Sequence, residues 1–69
     1  MHKKALKALG QKIKKLRKER SLFQVDLAVR VGISSSYIGA IEQGLRHPSL
    51  RVLEKIAKTL KVSMSDLLN

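Results

Sequence analysis

Gln24-Val25-Asp26-Leu27-Ala28-Val29-Arg30-Val31-Gly32-Ile33-Ser34-Ser35-Ser36-Tyr37-Ile38-Gly39-Ala40-Ile41-Glu42 is the stretch that decides the fold. Leu27, Ala28 and Val31 recur at helical spacing and predict a helix from Gln24 to Val31. Gly32 ends it, because glycine takes the left-handed backbone that a helix end or tight turn requires. Ser34 then offers a hydroxyl to the free N–H groups of a third helix, whose inward face carries Ile38 and Ile41. Two helices joined through such a turn need a small residue where they touch, a glycine in the turn, and apolar residues after it to fix the crossing angle. Ala28, Gly32 and the set Ile33, Ile38 and Ile41 supply these in order.

Outward from this core the periodicity continues. Leu6, Leu9, Ile13 and Leu16 form one stripe of an amphipathic helix, expected over about 5–20. Gly10 sits inside it at a cost of about 1 kcal/mol relative to alanine, so a close approach is expected there. Gly44 ends the third helix, Leu45 to Pro48 reads as a loop, and Pro48 forbids an unbroken helix across it. Ser49 caps a fourth helix in which Leu50, Leu53, Ile56, Ala57 and Leu60 keep the period. Ser63-Met64-Ser65-Asp66 has the form of a capping box and opens a short fifth helix ending in Leu67 and Leu68. Five short helices, with no linker or repeat, predict one compact all-α domain over residues 1–69, with a helix-turn-helix core at about 24–43.

Composition narrows the function. Fifteen Lys and Arg against five Asp and Glu give a formal charge of +10 on 69 residues. Self-repulsion of that size favours a polyanionic partner. Lys3, Lys4, Lys7, Lys12, Lys14, Lys15, Arg17, Lys18 and Arg20 crowd into the first twenty residues. The apolar residues beside them are needed for the core, so double-stranded DNA is expected rather than a membrane surface. No cysteine is present, which excludes disulfides, cysteine-rich zinc sites and thiol chemistry. Asp26, Glu42, Glu54 and Asp66 form no pair with a base or with metal-ligand spacing, so neither enzyme, metal nor cofactor is expected. His47 reads as a loop residue rather than a ligand. No apolar run approaches the roughly 20 residues a bilayer requires, and no secretory leader is evident, so the expected localisation is cytoplasmic.

From Leu9 to Leu68 the chain resembles the Cro/repressor-like, or XRE-like, helix-turn-helix family of transcriptional regulators. The likeness rests on Ile13-Lys14-Lys15-Leu16-Arg17-Lys18-Glu19-Arg20, Gln24 with Leu27-Ala28, Ile41-Glu42-Gln43-Gly44 and Pro48-Ser49-Leu50. Tyr37-Ile38-Gly39-Ala40-Ile41-Glu42 resembles the controller proteins of restriction–modification systems, a subgroup. The resemblance implies a lambda-repressor-like fold, a recognition helix at about 35–43, a contact from Gln24 to a phosphate, and a salt bridge between Arg17 and Glu42. Three positions depart from the family pattern: Ser21 and Lys61 stand where glycine is common, and Phe23 where Ser or Asn caps the second helix. If the backbone is left-handed at Ser21 and Lys61, each costs about 1 kcal/mol.

On a helix at roughly 100° per residue, Ser35, Ser36, Gly39, Ala40 and Gln43 share one broad face with no large side chain except Gln43. Such a face fits closely into a major groove, where hydroxyls meet base edges and a methyl meets thymine. Ser34, Tyr37 and Arg46 complete the candidate DNA-binding set, Tyr37 reaching either phosphate or base edge or resting on the core rim. Two copies on a palindrome would double a short site, and Met64, Leu67 and Leu68 are the candidate homodimer contact. The alternative reading is an adaptor or antitoxin module that docks a protein on Phe23, Val25 and Val29.

Overall fold

The computed structural model describes residues 2–69. Five helices follow one another: α1 (Lys3–Glu19), α2 (Gln24–Val31), α3 (Ser35–Glu42), α4 (Leu50–Leu60) and α5 (Met64–Leu68). α1 packs on α3 and α5, α2 on α3 and α4, and α4 on α5, so the chain closes on itself around one core. That core is aliphatic: Ile13, Leu27, Ile38, Ile41, Ile56 and Leu60 are fully buried, with Leu9, Ala28, Val31, Leu53, Ala57 and Leu67 around them. Each large aliphatic side chain removed from water stabilises the fold by about 1.5–3 kcal/mol.

Each helix start has a local cause. Ser34, Ser49 and Ser63 accept hydrogen bonds from the N–H groups of Tyr37, Val52 and Asp66 at 3.0–3.1 Å, which satisfies donors that have no partner within the helix. At α5 the bond is reciprocated, since the Asp66 carboxylate accepts from the Ser63 N–H at 2.9 Å. The Ser63 backbone N–H and hydroxyl beside the Asp66 carboxylate, and then the nearby Lys12 ammonium, hold the carboxyl below its ordinary value. The cap is therefore at full strength at neutral pH and is released as the pH falls through that lowered value. Phe23 has no side-chain acceptor to cap α2, yet Asp26 still accepts from the Phe23 N–H at 2.7 Å. α1 starts two residues earlier than its apolar stripe indicates, because His2 Nδ1 accepts from the Lys4 N–H at 3.2 Å.

Two apolar expectations change. Leu50 keeps the spacing of α4 but is 65% exposed, since it occupies the first turn of α4 beyond the edge of the core. Leu67 is buried among the core residues and Met64 is half-buried against them, which leaves Leu68 as the exposed leucine of α5. Leu67 is therefore withdrawn from the dimer contact expected of it: closing the α1–α4 edge of the core uses its side chain within the chain.

Ser21 and Lys61 are left-handed, with φ of 56° and 59°. Each follows a helix end whose carbonyls are taken up by the next N–H groups, Leu22 to Arg17 at 3.1 Å and Val62 to Ala57 at 3.0 Å. The turns thus form in spite of a Cβ that crowds the following carbonyl. Ser21→Gly and Lys61→Gly should each raise stability by about 0.5–1 kcal/mol, the relief of strain exceeding the added freedom of the unfolded chain. Thermal unfolding checks this, with an expected rise of about 2–8 °C per substitution. An unchanged or lower midpoint for both would show that the left-handed turns carry no strain.

Candidate nucleic-acid interface

The geometry of α3 is set from behind by one buried polar cluster. Arg17 and Glu42 are 6% and 5% exposed. Arg17 Nε donates to Glu42 Oε2 at 2.6 Å and Nη2 donates to Oε1 at 3.0 Å, a two-pronged pairing of planar guanidinium and carboxylate. Nη1 donates to the Leu22 carbonyl at 2.7 Å, which ties the turn before α2 to the same guanidinium. Gln24 Nε2 completes the cluster by donating to Glu42 Oε1 at 3.0 Å. Glu42 is the last residue of α3, where a negative charge opposes the helix dipole, so the facing Arg17 is required for it to be buried there. Among the described residues no buried side-chain polar atom lacks a partner.

Two glycines allow α1 to close on this end of α3. A Cβ at Gly10 would lie 2.3 Å from the Ile41 carbonyl oxygen and 2.5 Å from that of Glu42. The helical glycine thus marks the close approach its cost implied. Gly44, at φ 74°, turns the chain directly against Lys7, whose Cα would be 2.8 Å from an added Cβ. α1 is consequently seated against both the last turn of α3 and the segment that follows it.

The outward side of α3 carries Ser35, Ser36 and Gln43, all exposed, and Ala40, half-exposed. Gln43 stands at the C-cap, one residue beyond the helix. Ser34 is exposed, and its oxygen is engaged as the cap of α3 while its proton is free to donate. Tyr37 is half-buried against the core rim, and Arg46 lies over its ring with the guanidinium carbon 5.3 Å from the centroid. That stacking holds an exposed cation beside the α3 face. Gly39, expected on this open face, is instead buried, with the Gln24 amide 3.7 Å from where its Cβ would be. Helical spacing placed it on the open face, but Gln24 reaches across α3 at that point and covers it. Gln24 is accordingly turned toward Glu42, leaving its carbonyl and one N–H for any external contact. The sequence showed Gln24 and Glu42 as separate features. Their pairing depends on the tertiary crossing of α2 over α3, which no local pattern encodes.

Exposed aliphatic and aromatic groups also occur along α2, where the N-cap Phe23 and Val29 are each 74% exposed and Val25 is exposed as well. Among the described residues no cluster of three or more His, Cys, Asp or Glu is placed to hold a metal ion. No described helix is long and apolar enough to cross a membrane.

Comparison with known proteins gives a consistent picture. The family model described as "Helix-turn-helix" matches residues 13–67. The transcriptional regulator SinR of Bacillus licheniformis is 42% identical over 62 residues, covering 88% of this chain and 56% of SinR. The restriction–modification controller protein C.AhdI of Aeromonas hydrophila superposes with a TM-score of 0.87 at 35% identity, over 90% of this chain and 94% of its own. SinR, described as a master regulator of biofilm formation and solved in complex with DNA, superposes with a TM-score of 0.83 at 40% identity, over 88% of this chain and 98% of its own. The chain spans about half the length of the curated relatives it first matches.

The buried cluster yields a direct stability test. Glu42→Ala strands the Arg17 guanidinium and should cost about 3–5 kcal/mol, whereas Asp26→Ala removes one exposed cap bond and should cost about 1 kcal/mol. Denaturant midpoints of the two variants check the ordering. Similar small losses in both would show that the Arg17–Glu42 pair does not hold the fold.

Proposed function

The chain belongs to the helix-turn-helix family, and from that premise we propose that it is a sequence-specific regulator of transcription that binds double-stranded DNA through α3. The observation that carries the reading is the outward face of α3. Ser35, Ser36, Ala40 and Gln43 form a low surface with hydrogen-bonding tips, on a helix fixed from behind by Arg17 and Glu42. A face of this kind enters a major groove without a bulky side chain holding the helix away, and serines donate to or accept from base edges. Few groups on it reach bases, so sequence-dependent shape contributes to selection as well. Arg46 and the N-terminus of α2 at Gln24 supply phosphate contacts, the latter through unpaired backbone N–H groups and the positive end of the helix dipole. That SinR, 40% identical to this chain, was solved in complex with DNA supports a DNA-binding reading.

Acting alone, one such helix covers too few base pairs, and two copies related by a two-fold axis would read a palindrome. Leu68 and the half-buried Met64 remain for that contact, beside a shallow apolar groove between α1 and α5 lined by Ala5, Ala8 and Leu9. Sedimentation of the protein with and without duplex at high micromolar concentration should show a dimer. A monomer under both conditions would remove the two-fold arrangement and leave the groove contact of α3 untouched.

A second reading, a protein-docking module, is favoured by one observation: Phe23, Val25 and Val29 expose apolar surface on α2. Substitution separates the two. Arg46→Ala should weaken binding to every duplex alike and lower the slope of log K against log salt by about 0.9, the value of one phosphate contact. Ala40→Glu places a carboxylate against the groove and should reduce binding to the preferred site by about tenfold or more. The measurement is a competition titration of preferred against random duplex with each folded variant. Parent-like binding of Ala40→Glu to the preferred site would take α3 out of the groove and favour docking through α2.

A further inference from the structure

The proposed interface uses Arg46 and the N-terminus of α2 but leaves most of the +10 charge unexplained. On α1, Lys3, Lys7, Lys14 and Lys18 fall within an arc of about 60° at 100° per residue. All four are exposed. The arc lies immediately beside the edge of α1 that carries Gly10 and Arg17, the residues that touch the end of α3. Both ends of the arc meet parts of the proposed interface. Lys7 abuts Gly44, two residues before Arg46. Lys18 shares a surface cleft with Ser21, Leu22 and Phe23, at the start of α2 next to Gln24. The stripe therefore runs alongside the end of α3 and joins the two places where phosphate contacts are assigned.

No carboxylate interrupts it. α1 holds a single acid, Glu19, which lies off the stripe and within 3.9 Å of Arg20. Among the described residues the ion pairs are Arg17–Glu42 and Arg20–Glu19, and neither includes a lysine. Surface lysines that serve only solubility are ordinarily interspersed with acids, and like charges one turn apart, as in Lys3–Lys7 and Lys14–Lys18, oppose helix formation. Lys3 and Lys4 also sit at the positive end of the α1 dipole, the least favourable place for a cation. A polyanion laid along the stripe would relieve each of these repulsions.

Resting on the DNA-binding reading, we propose that Lys3, Lys7, Lys14 and Lys18 form a second contact line for the sugar-phosphate backbone of the same duplex that α3 enters. From Lys3 to Lys18 the helix rises about 22 Å, long enough for the four lysines to meet several successive phosphates of one strand. The lysines neutralise phosphates by position and read no bases, so they add affinity and salt dependence without adding selectivity.

The test compares two variants that lose the same charge. Lys7→Gln/Lys14→Gln removes two cations from the stripe, and Lys55→Gln/Lys58→Gln removes two exposed cations from α4. Glutamine keeps helix propensity, and circular dichroism confirms the fold of both. Duplex affinity is measured over a salt series for preferred and random sequences. The α1 variant should lower the slope of log K against log salt by about 1.8 and weaken both duplexes by the same factor, while the α4 variant stays close to the parent. Equal slopes for the α1 variant and the parent, with the parent binding DNA, would overturn the contact line alone. An α1 variant that keeps the parent's DNA slope but loses binding to phosphatidylserine vesicles would overturn it in favour of a membrane surface. A parent with no salt-dependent duplex binding would instead remove the DNA reading on which the proposal stands.

Discussion

Everything that gives α3 its attitude passes through the Arg17 guanidinium. Its three nitrogens bind both oxygens of Glu42 and the carbonyl of Leu22, so α1, the turn before α2 and the end of α3 share one rigid plane. A buried ion pair of this kind adds little net stability over an apolar core of the same volume, because the desolvation of both charges offsets their attraction. What it adds is direction. Aliphatic side chains pack at several crossing angles with similar energy, whereas a two-pronged guanidinium–carboxylate pair tolerates few. Gln24 carries the constraint outward, since its amide lies across Gly39 to reach the same carboxylate. The surface assigned to phosphate at the start of α2 is thereby coupled to the helix assigned to bases.

Small residues make this arrangement accessible. Gly10 removes the Cβ that would collide with the Ile41 and Glu42 carbonyls, and Gly44 turns the chain beneath α1. The about 1 kcal/mol that glycine costs inside a helix is the condition for bringing Arg17 within reach of Glu42. Elsewhere the chain tolerates strain without such a return, as at Ser21 and Lys61, whose left-handed turns serve only to redirect the backbone.

Much of the fold is legible because local signals agree. The bounds of α2 and its stop at Gly32 follow from apolar spacing and a single glycine, and the serines at 34, 49 and 63 each cap a helix where expected. The misreadings are of another kind. Leu50 has the right spacing yet lies beyond the core edge, and periodicity reports the face of a helix, not how far along it the core extends. Leu67 carries apolar surface that looked surplus to a five-residue helix, but α1 and α4 both pack on α5 and enclose it. Gly39 shares an angular sector with Ser35 and Ser36, and only the long-range reach of Gln24 buries it. The Arg17–Glu42 pair was implied by resemblance to a family, since residues 25 apart in sequence carry no local sign of contact.

The proposed function stands or falls on whether this fixed outward face of α3 meets duplex DNA. An amide-resolved NMR titration of the folded protein with a duplex containing its preferred site, at near-physiological salt, tests it most directly. Backbone signals of Ser34 to Ala40 and Gln43 to Arg46 should shift together, along with the side-chain amide of Gln24, while α4 stays unperturbed. Signals of α3 that remain in place, with changes confined to Phe23, Val25 and Val29 or absent altogether, would contradict it.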